Sequence, residues 1–373
     1  MQIAPFGVEM WMNAHETRCA HNLAETCVAS LTVAELLDLA GQNDGLEALK
    51  PMRLTYGAIE GSDRLRSAIA ALYDNRTPAD VIVTHGTIGA NALVYKAMVS
   101  AGDRVVSLVP TYQQHTAIPE SLGAEVVPLA LQEADGWLPD LDRLRQLVTP
   151  GTRLIALTNP NNPTGALIPG PMLAEICEIA RAAGAWVLAD EVYRGTDQSG
   201  PGMSPSVADL YDKGIATAGM SKAFALAGLR LGWIVAPAQV LAAVSHHRDY
   251  DTISVGMIDD HLATLALEAK DRVLARSRAI TRGNLAVLAD WVEREPGITW
   301  VRPASATVAL LRYDLEVPSE VFCLDLLAET GVLLTPGSAF GMEGYVRLGY
   351  ANHPEVLAAG LPLISAFLAA RRG

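Results

Sequence analysis

Cysteine is scarce: Cys19, Cys27, Cys177 and Cys323 are the only four in 373 residues. So few in so long a chain exclude a disulfide framework, and free, buried thiols are expected. Cys19 and Cys27 lack the histidine partners and spacing of a zinc site, and no metal is expected. Basic residues are short as well: 28 lysines and arginines face 41 acids, a net charge of −13. That excess disfavours nucleic acid or an anionic membrane as partner. It leaves room for an anionic small ligand, because a few arginines can build a local positive pocket. No apolar run reaches the ~18 residues of a membrane span. Residues 1–13 lack the basic start and apolar core of a secretory signal, so a cytoplasmic location is expected. Internal repeats and low-complexity tracts are missing too.

What is there is a globular composition, 50% hydrophobic and 18% charged, long enough for one large and one small domain. Residues 1–45 read as an N-terminal arm with a short helix opening near Ser30–Thr32. From 46 to 240 short apolar runs alternate with helical patterns. The runs are 81–84, 104–108, 125–129, 154–158, 185–189 and 214–217, and the helical stretches include 87–100 and 171–183. Such alternation predicts an α/β fold, a mostly parallel sheet with helices on both faces. Chemistry in such sheets gathers at the carboxyl ends of the strands. Residues 241–373 read as interdomain helices over 257–294, then a small α+β domain. Its strands are expected at 300–301, 307–311, 332–334 and 345–348, its helices at 319–330 and 354–370.

One stretch, Gly219-Met220-Ser221-Lys222 through Arg230 and Gly232-Trp233, concentrates chemistry. A lysine among small apolar neighbours loses hydration, so its pKa is expected to fall. A neutral amine attacks carbonyls, making Lys222 a candidate for a Schiff base. Arg230, eight residues on, suits an anion beside it. A turn lysine and an ion-paired arginine would present the same two residues; the neighbouring motifs argue for the chemical reading.

Those motifs are Tyr56 to Gly61 with Leu65-Arg66, Asn159-Pro160-Asn161-Asn162-Pro163-Thr164-Gly165, Asp190-Glu191-Val192-Tyr193, and Arg347. With the Ser-Lys stretch they resemble, in order and over residues 50–373, the pyridoxal-phosphate enzymes of the class I/II aminotransferase family. The resemblance implies the fold-type I architecture, with a seven-stranded large-domain sheet sandwiched by helices. It implies pyridoxal 5'-phosphate as cofactor, an L-amino acid and a 2-oxo acid as substrates, and a homodimer with shared active sites.

Roles follow by the same resemblance. Lys222 carries the cofactor and moves the substrate's α-proton. Gly86-Thr87-Ile88, opening a helix, offers N–H groups and a hydroxyl to the phosphate; helix capping would explain the same residues. Arg230 and Ser221 join them, while Gly219 stands where the family often has a phosphate-binding serine. Tyr112 stacks on the ring, with a core tyrosine as its competitor. Asp190 pairs with the ring nitrogen, Asn162 and Tyr193 with the phenolic oxygen, and Arg347 clamps the substrate carboxylate together with Asn162. Tyr56 reaches the neighbouring subunit's phosphate, and Thr252 or Ser254 can do likewise.

Three departures keep other fates of the same cofactor open: elimination, replacement, cyclisation and oxidation. They are the atypical His21–Cys27 segment, Gly219, and a Pro303–Thr307 stretch without the usual double glycine. The Trp11–Leu37 region and Arg248-Asp249-Tyr250 resemble amino-acid-tailoring enzymes of natural-product pathways. A sensing domain without catalysis would need a DNA-binding domain ahead of residue 46, and those residues offer none. Side-chain specificity is open; a dicarboxylate substrate would want one of Arg18, Arg53, Arg194 or Arg248 in the pocket.

Overall fold

The computed structural model describes residues 2–42 and 44–372; Met1 and Asn43 of the N-terminal arm and Gly373 lie outside the described residues. Seven strands form the large sheet: β1 (Val81–Thr84), β2 (Arg104–Val109), β3 (Glu125–Ala130), β4 (Thr152–Thr158), β5 (Trp186–Asp190), β6 (Gly214–Gly219) and β7 (Gly232–Val235). Their order is β1-β7-β6-β5-β4-β2-β3. Only β7 runs against its neighbours, pairing antiparallel with both β1 and β6. The central strands are apolar on both faces because helices cover both. Val106, Leu108, Ile155, Leu157, Val187 and Ala189 point into one core. The residues between them, such as Val105, Leu154, Ala156 and Leu188, point into the other, as a period of two requires. The six runs expected from the sequence are six of these strands; β7 lies in the Arg230–Trp233 motif.

The small sheet comprises β8 (Ile298–Trp300), β9 (Val308–Tyr313), β10 (Thr335–Pro336) and β11 (Tyr345–Gly349), in the antiparallel order β10-β11-β9-β8. Residues 332–334 do not join it as expected. Val332–Leu333 instead pairs in parallel with His21–Asn22, because Gly331 turns the chain at φ 75° and its carbonyl accepts the N–H groups of Ala20 and His21. This pairing ties the N-terminal segment to the small domain, where Trp11, Leu23 and Ala24 enter the core.

Helical residues beyond 240 also pack on the large sheet. Val240 and Val244 belong to the core of the large sheet, and Leu262 through Leu274 pack there too. The helix Lys270–Arg294 spans the boundary: Val273 and Leu274 serve the large core, Leu285, Leu288 and Val292 the small one. The helix Pro354–Arg372 is long and apolar enough to cross a membrane by composition. Its Leu357, Leu361, Ile364, Phe367 and Leu368 are packed into the small core, so that face is already covered by protein.

Candidate active site

A cavity of about 440 Å³ opens between the carboxyl ends of the large sheet, the small domain and the N-terminal segment. Lys222, Asp190, Asn162, Tyr193, Tyr112, Thr87, Ile88, Ser221, Arg230 and Arg347 all line it. Tyr56 does not; it is 75% exposed and lies elsewhere on the surface. Thr252 and Ser254 are also outside it.

At one end, the helix Gly86–Met98 starts directly after β1, with no side chain capping its first N–H groups. The Thr87 hydroxyl there is buried and has no partner among the described residues. Arg230 approaches from the turn before β7, donating to the Ala227 carbonyl at 2.8 Å and to Ser221 Oγ at 3.5 Å. The absence of a side chain at Gly219 now has a steric reason. A Cβ there would sit 2.6 Å from Thr87 Oγ1 and 2.9 Å from the Leu231 carbonyl oxygen. Thr87 fills the volume that a serine would need. The result is a helix N-terminus, an orphaned hydroxyl and a guanidinium around one point, an arrangement suited to a phosphate dianion.

At the middle, Asp190 ends β5 and is 4% exposed. Its oxygens accept from Asn91 Nδ2 at 2.8 Å and from the Val192 N–H at 3.0 Å. His115 Nε2 faces it at 3.8 Å, and His115 Nδ1 meets the Tyr95 hydroxyl at 2.8 Å. A buried carboxyl group needs the Asn91 and Val192 donors, and an acid at this depth suits a ring N–H. Sequence reading missed Asn91 and His115. Asn91 lies one helical turn after Thr87, a spacing legible in the chain; His115 carried no signal beyond nearness to Tyr112.

Arg347 on β11 is 2% exposed. It donates to Asn162 Oδ1 at 3.1 Å, Thr335 Oγ1 at 3.1 Å and the Ala24 carbonyl at 3.2 Å. Its Nε has no partner among the described residues. Burial holds its pKa below the ordinary arginine value, against the opposing fields of Tyr193 and Glu25. The fork is thus oriented by three acceptors and incompletely satisfied, which fits it to a carboxylate.

The segment with the poorest sequence match turns out to roof the site. Gly349, two residues after Arg347, leaves room for it: a Cβ there would fall 1.8 Å from the Glu25 carbonyl oxygen. Lys222 Nζ donates to Thr26 Oγ1 at 2.6 Å and to Cys27 Sγ at 3.5 Å. Glu25 accepts the N–H groups of Thr26 and Cys27 at 2.7 and 2.8 Å. Neither His21 nor Asn22 lines the cavity; Asn22 instead accepts the N–H groups of Ala24 and Glu25. The N-terminal helix Gly7–His15 adds Glu9, which accepts from the Tyr112 hydroxyl at 2.6 Å.

This roof reverses the expected pKa of Lys222. Burial pulls it down, but Cys27, Tyr193 and Glu25 together raise it well above the ordinary lysine value. Burial pushes the Cys27 thiol up to about 11 and also raises Tyr193. At neutral pH the charged neighbour is therefore Glu25. Burial opposes its ionisation, yet the Lys222 field and the two N–H donors hold its carboxyl below the ordinary value. Among the protein's own groups Lys222 is an ammonium, because sequence neighbours could not reveal acids arriving from nearly two hundred residues away.

Taken together, the phosphate cradle, the buried acid, the amine and the carboxylate fork fit pyridoxal phosphate with an amino acid beside it. The model for aminotransferase class I and II matches residues 27–359. Capreomycidine synthase of Streptomyces vinaceus is 29% identical over 359 residues, covering 96% of this chain and 92% of that protein. A PLP-dependent aminotransferase structure from Streptococcus suis 89-1591 is similar at TM-score 0.96 and 43% identity, covering 100% of this chain and 99% of the other. The PLP-dependent cyclase OrfR is similar at TM-score 0.93 and 30% identity, covering 100% and 98%. With a site of this make-up under a family match of that extent, the chain belongs to the class I and II aminotransferases, fold-type I enzymes that use pyridoxal phosphate.

Proposed function

We propose that this chain moves an amino group between an L-amino acid and a 2-oxo acid, with Lys222 as the cofactor-attachment and proton-carrying residue. The supporting observation is the convergence of Lys222, Asp190 and Arg347 on one cavity that also holds the orphaned Thr87 hydroxyl and Arg230. Pyridoxal phosphate, when bound, supplies an aldehyde that takes the amine and a ring that stores the electron pair left by deprotonation. The N–H groups of Gly86, Thr87 and Ile88, the Thr87 hydroxyl, Ser221 and Arg230 would hold the phosphate. Asp190 would accept the ring N–H, with Asn91 Nδ2 and the Val192 N–H orienting the carboxylate. Asn162 and Tyr193 would hold the phenolic oxygen, and Tyr112 would cover the ring face. Arg347 binds the α-carboxylate and so orients the α C–H toward Lys222 Nζ. Lys222, an ammonium among the protein's own groups, gives up its proton when it joins the cofactor aldehyde, and the neutral amine released when substrate takes its place would carry the α-proton. Thr26 Oγ1, 2.6 Å from Nζ, orients the amine.

Replacing Lys222→Ala is expected to lower turnover at least ~1,000-fold, about 4 kcal/mol of barrier. An amino-acid-dependent 2-oxo acid assay reads this, and activity within tenfold of the parent removes Lys222 from the role.

The active unit in this proposal is a homodimer. Exposed apolar side chains gather on the segments carrying Tyr56 and Thr252: Leu54 is 77% exposed, Tyr56 75% and Tyr250 96%. Tyr56, and Thr252 or Ser254, would reach the partner's phosphate. Sedimentation at micromolar concentration checks it, and a monomer with full activity contradicts it. The net charge of −13 supports small molecules rather than nucleic acid or an anionic membrane as partners.

A second reading, cyclisation or elimination with the same cofactor, is favoured by the roof of Glu25, Thr26 and Cys27. It is also favoured by similarity to proteins named as a synthase and a cyclase. Product formation without a 2-oxo acid acceptor would select it; strict dependence on the acceptor selects transfer.

A further inference from the structure

We propose that Glu9, Glu16 and Glu25 form a subsite for a cationic substrate side chain, so that the amino acid taken is basic and of the guanidinium type. This rests on the amino-acid-handling function above and names its substrate class.

Charge balance in the cavity points there. Its cations are Lys222, Arg230 and Arg347. Each already serves one group: Lys222 the cofactor aldehyde, Arg230 the phosphate and Arg347 the α-carboxylate. Asp190 answers the ring nitrogen. Three carboxylates remain on the cavity wall with no such role. None lies within 4.0 Å of a lysine or arginine nitrogen among the described residues. Glu9 spends one oxygen on the Tyr112 hydroxyl, and Glu25 spends one on two backbone N–H groups. Those bonds orient both carboxylates; Glu9 Oε2 accepts no hydrogen bond from the described residues, while Glu25 also has the Cys27 thiol and the Lys222 charge beside it. Glu16, the residue after the helix Gly7–His15, is exposed at the rim.

A second observation says a ligand belongs here and which way round it lies. Arg347 is 2% exposed, lines the same cavity and has an unpartnered Nε. It anchors a carboxylate, and its NH2 bonds the carbonyl of Ala24, the residue next to Glu25. Glu9 and Glu25 line the same cavity as Arg347, so they face an amino acid held there. Glu9 has no cation beside it, and Glu25 loses the Lys222 charge that faces it once Lys222 serves the cofactor aldehyde; two such carboxylates beside an anchored amino acid disfavour an acidic side chain and leave a neutral one unable to offset them. A guanidinium can donate to more than one carboxylate at once through its planar fork. A dicarboxylate has no counterpart here: Arg18, Arg53, Arg194 and Arg248 are all absent from the cavity wall. Arg194 is spent on the carbonyls of Ser204 and Leu72.

The experiment is calorimetric titration of the cofactor-loaded protein with L-arginine, L-citrulline and L-aspartate. Citrulline has arginine's length and shape without its charge. Arginine is expected to bind at least ~30-fold more tightly than citrulline, about 2 kcal/mol. That ratio is expected to fall toward one in the Glu9→Gln/Glu25→Gln double variant. Glutamine keeps an acceptor for Tyr112 and for the backbone N–H groups. Glu16→Gln, exposed and harmless to folding, is expected to lower the ratio a few-fold. Citrulline or aspartate binding within threefold of arginine overturns the subsite, and so does a ratio unchanged in the double variant. Formation of 2-oxo acid is followed in parallel. A binding preference without that product supports the subsite and counts against amino transfer. Product without the preference does the reverse.

Discussion

Consider Gly219→Ser, which installs the residue the family often has three positions before the lysine. Motif logic alone says it should strengthen phosphate binding by adding a hydroxyl. The packing around Gly219 says the opposite. The new Cβ would lie 2.6 Å from Thr87 Oγ1, 2.9 Å from the Leu231 carbonyl oxygen and 3.1 Å from the Gly232 Cα. Ordinary contact begins at 3.4 Å, so the Thr87 hydroxyl must retreat by about 0.8 Å. The other two atoms are backbone and cannot rotate away. The Leu231 carbonyl also accepts the Met220 N–H, so displacing it strains the lysine turn. Overpacking of this kind costs ~1–3 kcal/mol. With ~2.1 cal/mol/K per residue, 373 residues give about 0.8 kcal/mol/K, so Tm falls by about 1–4 °C. Losing the Thr87 hydroxyl from a charged phosphate removes ~1.5–3 kcal/mol, which raises the cofactor Kd ~10–150-fold. The assay is titration of the cofactor-free protein with pyridoxal phosphate, beside a thermal melt. Gly228→Ser is the control, since nothing lies within 4 Å of its Cβ position. Tighter cofactor binding in G219S, or a Kd within threefold of the parent, would refute the steric reasoning.

Two further changes address other parts of the site and fold. Arg347→Lys keeps the charge but loses the fork that meets Asn162, Thr335 and Ala24. Loss of two of those bonds predicts a fall in kcat/KM of ~30–150-fold, with the circular dichroism spectrum retained; a fall under threefold contradicts the carboxylate-clamp role. Glu191 concerns pH. Burial pushes its carboxyl up to about 7, against an ordinary 4.5, and its Oε2 has no partner among the described residues. A raised carboxyl pKa favours folding below the unfolded value, and that contribution is lost as pH rises through the folded one. From pH 5 to 8 wild type should therefore lose up to about 3 kcal/mol through this group. Glu191→Gln should remove that slope in urea unfolding at pH 5, 6.5 and 8; an unchanged slope assigns the pH dependence elsewhere.

What the sequence by itself determined was local chemistry and its order. Apolar runs located six of the seven strands of the large sheet, since strands covered on both faces must be apolar throughout. Lys222, Asp190, Asn162, Tyr193 and Arg230 were legible because each sits in a short motif at or beside an end of a large-sheet strand, where the sheet itself points it toward one side; Arg347, in the middle of β11, was legible from the family resemblance alone. The tertiary structure alone decided what surrounds them. Thr26 meets Lys222 across 196 residues and Ala24 meets Arg347 across 323, through the pairing of His21–Asn22 with Val332–Leu333. That pairing carries two-residue strands too short to leave a pattern. It also brings Cys27 and Glu25 over the amine, which together with Tyr193 raise the Lys222 pKa against the burial that its apolar neighbours suggested. Spacing along a chain encodes which groups one element presents. The charge on a buried group depends on every element packed around it, and that sum exists only once the chain has folded.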